Sequence, residues 1–134
     1  MTTAGSETLL VRSSDDVVRV RQRARALGIE AGLSLVDQTK IVTAASELAR
    51  NMIDYAGGGM AVMDIIGTPP RRGVRIVFED RGPGIANIEQ ALKDGYTTGN
   101  GLGLGLGGAK RLSSEFTIQS KPGEGTKVTI TRWK

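Results

Sequence analysis

Cysteine and histidine are both missing from this 134-residue chain. Without cysteine there is no disulfide, no thiol nucleophile and no thiolate metal site. Without histidine there is no imidazole base and no histidine to carry a phosphoryl group, so acid–base work falls to carboxylates. No run of 18 apolar residues occurs, which excludes a membrane-spanning helix. The first residues lack the basic and apolar regions of a secretory signal, so the expected compartment is the cytoplasm. A basic arm, zinc-finger spacing and an aromatic–basic platform are also lacking, which argues against nucleic acid as a partner.

What is present describes one domain over residues 1–134. The chain is 39% hydrophobic and 24% charged, an ordinary globular balance, and has no internal repeat or linker. The net charge of +4 rests on twelve arginines. Four of them, Arg19, Arg21, Arg23 and Arg25, alternate along one segment. On a helix, steps of two spread around the surface. They read as a solvated face or as a surface for an acidic protein partner. Glycine is over-represented at 19 residues, and seven fall between Gly95 and Gly108, a clustering that suits a loop shaped for a ligand or for motion.

Periodicity predicts the elements. Residues 7–12, with the apolar run Leu9–Val11, read as an edge strand. Ser13 with Asp16 three residues on forms a capping-box start, and Val17, Val20, Ala24 and Leu27 mark a helix ending near Gly28. Ser34 caps a longer helix over 35–56, with Ile41, Ala45, Leu48 and Met52 as its apolar stripe and Gly57–Gly59 as its stop. Residues 60–66 and 74–79 read as a hairpin joined by the turn-rich segment 67–73. A short helix follows over 88–93, then a flexible loop over 94–103. A helix from the glycines to about Ser114 and strands over 116–120 and 126–131 complete the chain. The expected fold is a two-layer α/β sandwich, a mostly antiparallel sheet of the four later strands with helices on one face.

Three stretches invite chemistry. Asp80 ends an apolar strand, where a carboxylate can accept a hydrogen bond from an exocyclic amine. Gly82 and Gly84 then let the backbone approach a flat ring; a plain Asp–Gly turn is the simpler alternative. Glu47 and Asn51 lie one helical turn apart. An amide oxygen suits magnesium, which travels with nucleotide phosphates, and Glu47 can act as base toward a hydroxyl. A polar helix surface explains the same pair, and Arg50 can pair with Glu47, contact phosphate or face solvent. Each glycine inside a helix costs roughly 1 kcal/mol relative to alanine, so Gly101, Gly103, Gly105, Gly107 and Gly108 need a return. Backbone amides for phosphate oxygens supply one, with Leu102, Leu104 and Leu106 as anchors and Gly95, Gly99 and Gly101 as lid hinges. No Gly-Lys-Ser/Thr follows, and Gly103-x-Gly105-x-x-Gly108 does not follow a strand, so neither common nucleotide motif applies.

Together these stretches resemble the GHKL class of ATP-binding proteins, which includes DNA gyrase, histidine kinases and MutL. Glu47–Asn51 matches its N box, Asp80–Gly84 its first glycine box and Gly101–Gly107 its second. Gly125-Thr126 matches its last small motif. A narrower similarity, carried by residues 35–51, Tyr55–Gly58, Asp94–Thr98 and Gly101–Leu106, is to serine/threonine kinases of the RsbT type. This resemblance implies the Bergerat ATP-binding fold, with ATP and magnesium as cofactors. It implies Glu47 as catalytic base, Asn51 on the metal and Asp80 on the adenine amine. Gly82, Gly84, Ile85 and Thr126 would surround the nucleotide, and Thr98, Gly101, Leu102, Gly103, Leu104 and Gly105 would close over the phosphates. Implied partners are STAS-domain proteins of the RsbS and RsbR type as substrates and an RsbU-like phosphatase activated by the released kinase. An anti-sigma factor kinase of the SpoIIAB or RsbW type and a nucleotide-dependent binding module without phosphotransfer remain open alternatives.

Overall fold

The computed structural model describes residues 6–92 and 105–134. Along the chain come β1 (Glu7–Val11), α1 (Ser14–Glu30), α2 (Leu35–Ala56), β2 (Gly59–Thr68), β3 (Arg71–Asp80), α3 (Ile88–Ala91), α4 (Gly105–Arg111), β4 (Glu115–Ser120) and β5 (Thr126–Trp133). The five strands form one sheet in the order β1-β2-β3-β5-β4, every pair antiparallel. The sheet thus includes β1 as an edge strand beside the four later strands. The expected α/β sandwich, an antiparallel sheet under helices, is the architecture found.

Alternation sorts the strands into two faces. Val11, Ala61, Met63, Val74, Ile76, Phe78, Val128 and Ile130 are buried under the helices. From above they meet Val17, Val20 and Ala24 of α1 and Ile41, Ala45, Leu48 and Met52 of α2. Burying each such large side chain stabilises the fold by about 1.5–3 kcal/mol. The opposite face is more open: Leu10 is 54% exposed, and Arg75 pairs with Asp64 across the strands at 2.9 Å.

Helix α2 keeps its expected bounds because both ends are signalled locally. The Ser34 hydroxyl accepts from the Asp37 N–H. At the far end Gly57 takes a left-handed φ of 75°, and the Gly57 and Gly58 N–H groups donate to the Ile53 and Met52 carbonyls. Helix α1 instead passes Gly28 and ends at Glu30. Gly28 is buried against α2, where a Cβ would lie 3.3 Å from Gln38 Cγ, and the reversal comes at Gly32, with φ 84°.

The hairpin connection is also shorter than expected. Strands β2 and β3 pair out to Thr68 and Arg71, so only Pro69 and Pro70 form the turn. Gly67 and Gly73 lie inside the ladder against the Trp133 ring, each leaving no room for a Cβ. Helix α3 is one turn only, and α4 stops at Arg111 rather than near Ser114. There the Ser114 N–H donates to the Thr131 carbonyl and opens β4. Strand β5 runs two residues past the expected Thr131. Among the described residues no helix is long and apolar enough to cross a membrane.

Candidate functional site

Inserting β5 between β3 and β4 places the end of β3 beside the start of β5, and Asp80 pairs with Thr126 in the register. One Asp80 oxygen, Oδ1, accepts the Gly82 N–H at 2.9 Å and the Thr126 N–H at 3.2 Å. No hydrogen bond reaches its second oxygen among the described residues. The turn that follows is clasped by the β4–β5 connection. The Gly123 N–H donates to the Pro83 carbonyl at 2.7 Å, and the Ile85 N–H donates to Ser120 Oγ at 2.8 Å.

A cavity of about 360 Å³ opens over this strand end. The C-terminal half of α2 lines it with Asn51, Met52 and Tyr55; β3 contributes Phe78 and Asp80. Gly84 and Ile85 come from the turn, Leu106 from α4, and Thr126 from β5. Its walls are mostly apolar, with a carboxylate and a hydroxyl at one end and a carboxamide on the helix side. That combination suits a flat, partly polar ligand.

Of the residues singled out in the sequence, Asn51, Asp80, Gly84, Ile85 and Thr126 line this one cavity. Glu47 lies one turn earlier on α2 and is 4% exposed; it is not among the lining residues. Gly82 also stands outside the lining. A Cβ there would overlap the Ala56 methyl, so this glycine lets the turn pack on α2. At Gly84, φ is 75° and a Cβ would overlap the Lys121 carbonyl. Gly105 is buried at the first position of α4. Thr98, Gly101, Leu102, Gly103 and Leu104 fall outside the described residues.

Sequence reasoning passed over Met52 as a wall, although its place in the apolar stripe announces its burial. It also passed over Ser120, whose partners lie across the fold and leave no local signal. Among the described residues no three His, Cys, Asp or Glu side chains come together as a metal site. A divalent cation here would need ligand oxygens from what the cavity binds, with the Asn51 amide oxygen as a protein contribution.

Residues 36–134 match the model of the HATPase_c family, the histidine kinase-, DNA gyrase B-, and HSP90-like ATPases. The chain belongs to this family. Within it, the chain is closely related to the RsbT-like serine/threonine kinases and is itself an ATP-dependent kinase. It is 44% identical over 118 residues to serine/threonine-protein kinase RsbT of Bacillus subtilis (strain 168), covering 88% of this chain and 89% of that protein. It is 31% identical over 106 residues to an anti-sigma F factor of Pasteuria penetrans, covering 74% and 70%. Among solved structures, the RsbU and RsbW domains of a Mycobacterium tuberculosis protein superpose with a TM-score of 0.65 at 24% identity. That likeness covers 96% of this chain and 32% of the other, so this HATPase_c chain spans about a third of that longer one and shares its fold.

Proposed function

We propose that the cavity binds ATP with magnesium and that the chain transfers the γ-phosphoryl group to a serine or threonine of a STAS-domain protein of the RsbS or RsbR type. When released from that partner it binds and activates an RsbU-like phosphatase. Residues 1–134 act as one ATP-binding kinase domain, in the cytoplasm. The observation that carries the reading is the convergence of Asp80, Asn51 and Thr126 from three elements on one cavity in a chain of this family.

In this reading the second Asp80 oxygen accepts the adenine amine, while Ile85 and Met52 flank the ring. Asn51 offers its amide oxygen to magnesium, which when bound neutralises charge on the phosphates. Glu47 takes the proton of the substrate hydroxyl as the new oxygen–phosphorus bond forms, the β–γ bridge breaks and ADP departs. The family resemblance assigns Thr98, Gly101, Leu102, Gly103, Leu104 and Gly105 to the phosphates.

Incubation with labelled ATP, magnesium and a candidate STAS protein tests this. Label is expected on the partner with wild type, and not with D80N or E47A. Undiminished transfer by E47A removes Glu47 from the role of base; ATP binding without transfer to any partner favours a nucleotide-dependent binding module. The similarity to an anti-sigma F factor supports a second reading, a kinase that binds a sigma factor. Capture of a sigma factor in place of a STAS protein decides for it.

A further inference from the structure

Ser120, the last residue of β4, stands behind Thr126 and outside the cavity lining. Its Oγ contacts three groups: the Ile85 N–H at 2.8 Å, the Gly125 carbonyl at 3.0 Å and the Thr126 hydroxyl at 2.8 Å. A serine hydroxyl has one proton and two lone pairs. The Gly125 carbonyl can only accept, so the Ser120 proton is committed to it. One lone pair accepts the Ile85 N–H. The other is left for Thr126, whose hydroxyl therefore donates to Ser120.

This count has a consequence inside the cavity. With its proton turned away, Thr126 presents only lone pairs to the space it lines. Asp80 stands directly across the ladder from it, and a carboxylate also only accepts. We propose that Ser120 is a positioning residue that fixes the Thr126 hydroxyl as an acceptor, making this end of the cavity accept-only and sharpening selection for a base that carries an amine. The inference rests on the adenine-nucleotide reading above and adds a specificity determinant to it.

Calorimetric affinities for ADP and for purine riboside 5′-diphosphate, which lacks only the amine, test it. Wild type should prefer ADP. In S120A the Thr126 proton is free to reach a ring nitrogen of the amine-less base, so the preference should fall about tenfold, the worth of one hydrogen bond. S120T keeps the hydroxyl and should keep the preference. S120C, nearly isosteric but a poor acceptor, should shift it as S120A does and serves if S120A fails to fold. On a T126V background, S120A should change the preference no further. A preference preserved within about twofold in both S120A and S120C overturns the proposal. So does an equal loss with and without Thr126, which is what a merely structural serine produces. If wild type fails to bind ADP, both readings fall. If wild type binds ADP and D80N does not, while S120A leaves the preference unmoved, only the role of Ser120 falls.

Discussion

Replacing Asp80 by asparagine separates recognition from folding. The Asp80 Oδ1 atom accepts two backbone N–H groups, from Gly82 at 2.9 Å and Thr126 at 3.2 Å. The asparagine oxygen can keep both, so D80N should change stability by less than about 1 kcal/mol. The second oxygen is exchanged for an NH₂ group, which only donates. A charge-assisted hydrogen bond to the base amine, worth about 1.5–3 kcal/mol, is lost and two donors then face each other at a further cost of about 1–3 kcal/mol. The sum is about 2.5–6 kcal/mol, a loss of roughly sixty-fold to 10⁴-fold in ADP affinity at about 1.4 kcal/mol per factor of ten. D80A removes the acceptor for both N–H groups and should also lower the unfolding free energy by about 1–3 kcal/mol. Calorimetry and thermal unfolding of wild type, D80N and D80A measure the two effects side by side. ADP binding by D80N within about threefold of wild type refutes the assignment of Asp80 to the base.

Two further outcomes concern the scaffold. Gly84→Ala combines a left-handed backbone with overlap on the Lys121 carbonyl. It should cost about 2–5 kcal/mol of stability by denaturant unfolding, and a cost under about 1 kcal/mol contradicts the clasp described here. Asp16 accepts the Arg12 and Ser13 N–H groups at the start of α1 and pairs with Arg19 at 3.0 Å. The Arg12 N–H foremost, with Ser13 and Arg19, holds its carboxyl below the usual aspartate range. A depressed folded value means the stabilisation is present above the unfolded value of about 4 and is lost as pH falls through the folded value. The thermal-stability advantage of wild type over D16N should therefore shrink between about pH 6 and pH 3, and an advantage constant over that range excludes the carboxylate as its source.

The legible parts of this fold are those whose cause is local. Helix α2 could be bounded because a serine cap and a glycine stop lie at its own ends. Its buried stripe repeats every three to four residues. The misjudged end of α1 and the misjudged hairpin between β2 and β3 share one cause: glycine reads as punctuation in the sequence where it serves as a spacer. Gly28 makes room for Gln38 on the neighbouring helix, and Gly67 and Gly73 make room for Trp133. That indole donates to the Glu115 carboxylate at 2.8 Å and carries the Arg71 guanidinium 4.7 Å above its ring. Nothing within a few residues of these glycines announces a tryptophan sixty or more positions away. A turn signal and a close approach look alike until the sheet order is known.

The candidate site divides along the same line. Asp80 and Asn51 were visible because each sits at a marked place on its own element. Their meeting at one nucleotide was implied by the family resemblance alone, and the sheet order that sets β5 between β3 and β4 has no local signal. That topology sets Thr126 against Asp80 across 46 residues and Ser120 against Ile85 across 35. The glycine turn is thus held from behind by the β4–β5 connection, through Gly123 on Pro83 and Ser120 on Ile85. Gly125 passes so close to the Asp80 carbonyl that a side chain there has no space. The residues that fix the carboxylate end of the cavity therefore lie mostly outside it. A substitution in the Lys121–Gly125 turn should reach ligand affinity through backbone position alone, without touching what the cavity binds.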